Sequence, residues 1–353
     1  AGMGGLMAAA LLANEGCKVL VLEASSRIGG FQHRFERNGF RIDANFHFLQ
    51  EAGPGRPVRK LLAAVGIEPQ LVALDPLAEF SFPDRVVRMS TNRTQYRDDL
   101  ITMFPAQKAG IVALFDSMAT LYQRMQEWPA GALRDAAPEN LPPELAALAA
   151  HANETLDQYL EHFVSSRELK AILGGWATYF GYCGARIAAL PVIVLSEAGW
   201  DGGNFHPVGG IDTIAQALKA RVEAGGGTVK LSTPVRRILV DAGRATGVEL
   251  ESGEVITAAA TISNADVFTT YRDLIGADNA PAGVLDGLAG MERFRSPLSV
   301  YVGVRADGLG LEKRAAVHVV FPSYDTDGDD LAQDEGRLDR VAVSIGIPTL
   351  VTP

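Results

Sequence analysis

The chain has 353 residues, of which 47% are hydrophobic and 21% charged, and a formal net charge of −10. That length holds about two domains at the usual ~100–200 residues each, and the acidic balance excludes a nucleic acid gripped through its phosphates. Cys17 and Cys183 make no metal-binding spacing and read as thiols of a reducing compartment, and no apolar run reaches the ~18 residues of a membrane span.

The chain opens on "AGMGGLMAAALLANEGCKVLVLE". Gly2, Met3, Gly4 and Gly5 predict a tight turn where backbone comes close to a ligand. An Ala/Leu-rich helix follows and ends at Gly16. Lys18 to Leu22 then reads as a short buried parallel strand, with Glu23 at its carboxyl end. Turn, helix, strand and acid form the second half of a dinucleotide-binding βαβ unit. Gly2 and Gly5 match the second and third glycines of G-x-G-x-x-G, so the chain is expected to begin inside that motif, without its first strand. Glu23 follows Gly2 by 21 positions, close to the ~20 expected of a carboxylate that accepts from ribose hydroxyls. The N–H groups and dipole of the helix start favour a pyrophosphate.

The next stretch, "EASSRIGGFQHRFERNGFRIDANFHFL", places Ala24 and Arg27 after the acid and Gly29-Gly30 beyond them. Arg27 brings a fixed positive charge near a pyrophosphate. The diglycine lets backbone pass close to a bulky ligand. "FERNGFRID" predicts a hairpin turning at Asn38-Gly39. Asp43 and His47 close the segment.

Far downstream, "NFHPVGGIDTIAQALKARVEAGGGTVKLSTPVRRILVDAGRATGVELESGEVITAAATISNAD" predicts a turn at Pro207, Gly209 and Gly210. A helix follows with Ile211, Ile214, Ala215, Leu218 and Val222 on one face. Gly225-Gly226-Gly227 ends it, and strands come next, with turns at Ala242-Gly243 and Ser252-Gly253.

These two blocks together resemble the FAD-dependent phytoene desaturase, carotenoid isomerase and retinol saturase group of amine-oxidase-like flavoproteins. The resemblance implies an α/β fold: a Rossmann-type FAD-binding domain with an inserted mixed helical and β substrate domain. The expected division is 1–57 and 205–268 for the FAD-binding domain, 58–204 for a mainly helical substrate domain and 269–353 for its second part. The cofactor-binding residues it implies are Gly2, Met3, Gly4, Gly5, Glu23, Ala24, Arg27, Gly29 and Gly30. It adds Val235, at a position whose backbone contacts the adenine, and Asn264, in the "ISNAD" return to the nucleotide domain. Two departures stand near the flavin ring. Phe31 replaces a small residue, and Asp43-Ala44-Asn45 replaces D-x-G, where Asn tolerates the left-handed conformation of Gly.

The resemblance implies oxidoreduction of C–C or C=C bonds in an apolar polyene or isoprenoid through flavin N5. No residue stands out as a catalytic base. His47 and His206 fall nearest the flavin side, and a structural hydrogen-bonding role competes for both. An amine oxidase or protoporphyrinogen-oxidase-like flavoenzyme is the alternative enzyme reading. A lipid-binding protein of the GDP-dissociation-inhibitor kind is the non-enzymatic one. The expected setting is the cytoplasm, with peripheral membrane association left open.

Between the blocks the sequence reads as helical, with a capping box at Thr155 and Gln158. Met118, Tyr122, Met125, Trp128, Phe163, Trp176, Tyr179 and Phe180 are candidates for an apolar tunnel, against plain helix packing. Beyond Asp266, "SPLSVYVGV", "AAVHVVFPSY" and "RVAVSIGI" predict three strands. "DTDGDDLAQDEG" between them lacks the Gly and Glu of a calcium loop and reads as a solvated acidic loop, so no metal site is expected. After "IPTLVTP" the family runs on into a second flavin-contacting segment.

Overall fold

The computed structural model describes residues 1–45, 48–127, 151, 153–291, 295–305 and 307–352, and the structural statements below concern these residues. Helix Met3–Asn14 forms as predicted and buries Leu6, Ala9, Ala10 and Ala13. Its small residues let it pack closely on helix Asp212–Ala224, whose Ile214, Ala215, Leu218 and Val222 are all buried in the same core. Strand Leu20–Leu22 pairs in parallel with Thr228–Lys230, Leu20 opposite Thr228 and Leu22 opposite Lys230. A parallel pair needs a crossover rather than a hairpin, so segments far apart in sequence build one α/β layer.

Strands Arg34–Arg37 and Phe40–Asp43 form the predicted hairpin. Asn38 and Gly39 both take positive φ, 53° and 80°, the turn whose twist matches that of the flanking strands. Val235–Asp241, Arg244–Leu250 and Val255–Thr257 make a three-stranded antiparallel sheet.

The largest core lies between a four-stranded sheet and a set of helices. The strand order is Val343–Gly346, Val317–Val320, Ala78–Ser81, Val86–Met89. Phe80, Phe115, Tyr159 and Trp176 fill that core. The stretch between the two sequence blocks is therefore not helical throughout. Leu71–Ala73 and Ala78–Ser81 are strands because each finds a distant partner, Asn204–Pro207 for the first and Val317–Val320 for the second, and Val86–Met89 pairs antiparallel with Ala78–Ser81. No helix among the described residues is long and apolar enough to cross a membrane.

Two further expectations are corrected. "SPLSVYVGV" forms no strand: Leu298 is 92% and Val302 73% exposed. Alternation selects a face, but a strand exists only where a neighbour accepts its backbone hydrogen bonds, and among the described residues none does. The acidic loop is instead a helix, Thr326–Asp334, capped by the Asp325 side chain on the Gly328 N–H. Asp327 and Asp329 suit the positive end of that helix. Asp329 and Asp330 are buried because arginines reach them: Arg340 pairs with Asp329, and Arg186 and Arg295 pair with Asp330.

The capping box is present at helix Leu156–Glu161, with Gln158 N–H donating to Thr155 Oγ1 at 3.3 Å and Thr155 N–H to Gln158 Oε1 at 2.9 Å. Next on that helix, burial pushes the Asp157 carboxyl up to about 6, helped by the Asp327 carboxylate beside it. A folded-state pKa above the unfolded one means that ionisation opposes folding, so stability falls as pH rises from about 4 to about 6. Asp157→Asn is expected to remove that fall and to stabilise the protein at neutral pH, on the order of 1–3 kcal/mol. Urea midpoints on both sides of the window check it, and parallel profiles for variant and wild type count against it.

Candidate functional site

Gly2 caps helix Met3–Asn14 with no side chain to occupy its first N–H groups. Such groups have no partner within the helix, and with the helix dipole they favour an anion. Gly2 pairs with Gly29 in a parallel bridge, and the Gly29 N–H donates to the Ala1 carbonyl at 2.8 Å. A Cβ on Gly30 would lie 3.1 Å from the Gly2 Cα. The Asn264 side chain closes the other side: a Cβ on Gly4 would stand 2.9 Å from its Oδ1, and one on Gly5 3.3 Å from its Cβ. Gly2, Gly4, Gly5, Gly29, Gly30 and Asn264 thus converge on one cradle. Gly4, Gly30 and Asn264 are exposed, so the cradle opens to the surface, with Met3 half-buried beneath it.

Glu23 stands at the end of strand Leu20–Leu22. Its carboxylate accepts from the Ser25 N–H at 2.8 Å. The Glu23 carbonyl accepts from the Thr233 N–H at 2.8 Å, which seats Val235 and its strand beside the acid. Ala24 and Arg27 are exposed on the connecting loop, where the Arg27 backbone N–H donates to Ser25 Oγ at 3.1 Å. Glycine backbone, a bare helix start and a carboxylate at the adjacent strand end together fit the pyrophosphate and ribose of a dinucleotide.

A second cluster abuts this layer; its His206 was a candidate from the sequence, but the contacts that Asp43 and Arg34 make there were not read. Asp43 is buried at the end of its hairpin. Its Oδ1 accepts from Arg34 Nε at 3.0 Å, and its Oδ2 accepts from the Ile211 N–H at 3.4 Å. His206 Nε2 lies 3.4 Å from the same Oδ2, and its Nδ1 lies 3.4 Å from Thr352 Oγ1. Burial pushes Asp43 up, but His206 and Arg34 overcome this and hold it below the usual carboxylate range. The Arg34 guanidinium occupies the place of a side chain on Gly210: a Cβ there would fall 1.2 Å from Nη2. Gly210 was legible as a turn residue, but its partner was not.

His206 is fully buried, and its ring is held between Asp43 and Thr352. His47 lies outside the described residues. Phe31 is 83% exposed, and its carbonyl accepts from Asn45 Nδ2 at 3.2 Å. Asn45 does not take the left-handed conformation that Asn tolerates.

In the larger core, Met118, Tyr122 and Trp176 are buried, and Met125, Phe163 and Phe180 pack against them. Trp176 meets Phe48 and Phe80 with ring centroids 5.8 Å apart in each case, and Tyr179 at 6.0 Å. Trp128 lies outside the described residues. A small apolar cavity lies among Met118, Tyr159, Trp176, Ile193 and Trp200.

Residues 3–275 match the profile of flavin-containing amine oxidoreductases. Over 360 residues the chain is 28% identical to all-trans-retinol 13,14-reductase of Danio rerio, covering 94% of this chain and 57% of the relative. It is 27% identical to the chloroplastic prolycopene isomerase of Daucus carota, covering 87% and 52%. The chain thus spans little more than half the length of these relatives. A solved structure from Pyrococcus furiosus superposes with a TM-score of 0.62 at 21% identity, covering 83% of this chain and 64% of that one, a likeness of fold.

Proposed function

The chain belongs to the family of flavin-containing amine oxidoreductases, and from that premise we propose that it is part of an FAD-dependent oxidoreductase acting on C–C or C=C bonds of an apolar polyene or isoprenoid. The observation that carries the reading is the convergence of Gly2, Gly4, Gly5, Gly29 and Gly30 beside Glu23. Bound FAD supplies hydride chemistry that no side chain offers. The chain's own residues would hold it: the N–H groups after Gly2 would receive the pyrophosphate, Glu23 would accept from ribose hydroxyls and repel a 2′-phosphate, and the backbone at Val235 would contact the adenine. Asn264 sits over the glycines and positions the return of the chain to this layer. The aromatic lobe around Trp176 supplies the apolar, water-poor surroundings a polyene requires. Retinol and prolycopene, named for the two relatives, are substrates of that class.

The absorbance spectrum of the complete protein, purified without added cofactor, tests the reading. Bands of oxidised flavin that bleach anaerobically with a reduced polyene support it. A colourless protein that takes up no added FAD overturns it. Glu23→Ala is expected to weaken FAD binding by ~1–3 kcal/mol, the value of hydrogen bonds to a charged group. Equal flavin retention in variant and wild type removes Glu23 from that role.

A further inference from the structure

His151, Glu154 and His162 lie together on the outer side of the aromatic lobe, away from the glycine cradle in sequence and role. His151 Nδ1 is 2.7 Å from Glu154 Oε2, and His162 Nε2 is 2.9 Å from Glu154 Oε1. One donor atom from each residue falls within 4.8 Å of the others. We propose that these three residues form a binding site for a divalent transition metal of the zinc class.

The donor set is the first argument. Two imidazoles and one carboxylate suit Zn²⁺ and its neighbours, whereas Mg²⁺ and Ca²⁺ demand oxygen ligands. With bonds of about 2.0–2.2 Å, donors around a tetrahedral ion stand roughly 3.4 Å apart. The observed spacing reaches that by modest side-chain rotation, and His162 is exposed enough to make it.

The mounting is the second argument. The three ligands bracket one short helix, Leu156–Glu161: Glu154 precedes its Thr155 cap, and His162 caps its C-terminal end. The capping box fixes the helix start, and the Ala189 N–H donates to the Glu154 carbonyl at 3.0 Å. The His151 ring is set edge-on against Tyr159, centroids 5.1 Å apart, and the His162 ring edge-on against Phe163 at 6.3 Å. Ligands held by a second layer lose less freedom on binding. The open face leaves a coordination position for water or an external ligand. The inner face of the same helix carries Leu156, Tyr159 and Leu160 into the apolar cavity. A metal at this point clips the segment through His151 to the far end of a cavity wall.

Calorimetric titration of the complete, flavin-loaded protein with Zn²⁺ is expected to show saturable binding of one ion per chain, and a higher melting temperature follows by mass action. Mg²⁺ and Ca²⁺ are expected to give neither. X-ray absorption at the zinc edge should report two imidazoles in the shell. Glu154→Gln and the double variant His151→Ala, His162→Ala should weaken binding tenfold or more, about the least that loss of a ligand costs. Absence of saturable binding in the wild type overturns the site. So does a zinc shell without imidazole, or affinity unchanged in the double variant.

Discussion

Gly110→Ala is expected to destabilise the protein by about 3 kcal/mol or more, the upper end of the usual cost of overpacking. Gly110 lies in the first turn of helix Lys108–Glu127, and a Cβ there would stand 1.9 Å from the Phe163 carbonyl oxygen and 3.0 Å from its carbon. The obstacle is backbone, so no side-chain rotation relieves it. The neighbouring Val164 is buried and anchors that backbone in the main core. Gly287 supplies the control. It sits inside helix Val284–Ala289, and a Cβ there meets nothing within 4 Å. Gly287→Ala is expected to stabilise by up to about 1 kcal/mol through helix propensity alone. Urea midpoints of the two variants should move in opposite directions. A Gly110→Ala protein as stable as wild type would mean that the helix and the Phe163 segment do not touch.

Asp43→Ala is expected to cost about 3–5 kcal/mol, the usual result of removing one partner from a buried ion pair. It leaves the Ile211 N–H without this acceptor, and among the described residues it leaves Arg34 to pair with Asp212, 3.5 Å from its Nε. The pH dependence separates this from a simple packing loss. Asp43 has a folded pKa below its unfolded one, so its contribution is fully present above about pH 4 and is lost as pH falls through the lowered value. The stability difference between wild type and Asp43→Ala should therefore shrink on acidification below about pH 4. A difference that stays constant there would show that the carboxylate charge is not what holds Arg34. Because Asp43 ties the hairpin after Gly30 to the turn at Gly210, weaker flavin retention is expected to accompany the loss.

Much of this molecule follows rules that act within a few residues. The glycine turn and helix at Gly2, the Asn38-Gly39 hairpin, the Thr155–Gln158 capping box and the apolar face of Asp212–Ala224 were all legible. Each depends on steric limits, cap geometry or periodicity that neighbouring residues set among themselves. The resemblance assigned the two separated blocks to one domain, but the parallel pairing of Leu20–Leu22 with Thr228–Lys230 was not read from the sequence.

The tertiary structure alone decided the rest. Arg34 meets Asp43 and covers Gly210. Glu79, fully buried, meets Arg88 and Arg314. Asp330 meets Arg186 and Arg295, and an apparently solvated acidic run becomes a capped helix. Leu298 to Val304 alternates like a strand, yet no described neighbour takes up its backbone. Charge pairing and strand pairing depend on which groups lie a few ångströms apart in space, and sequence separation carries no record of that distance.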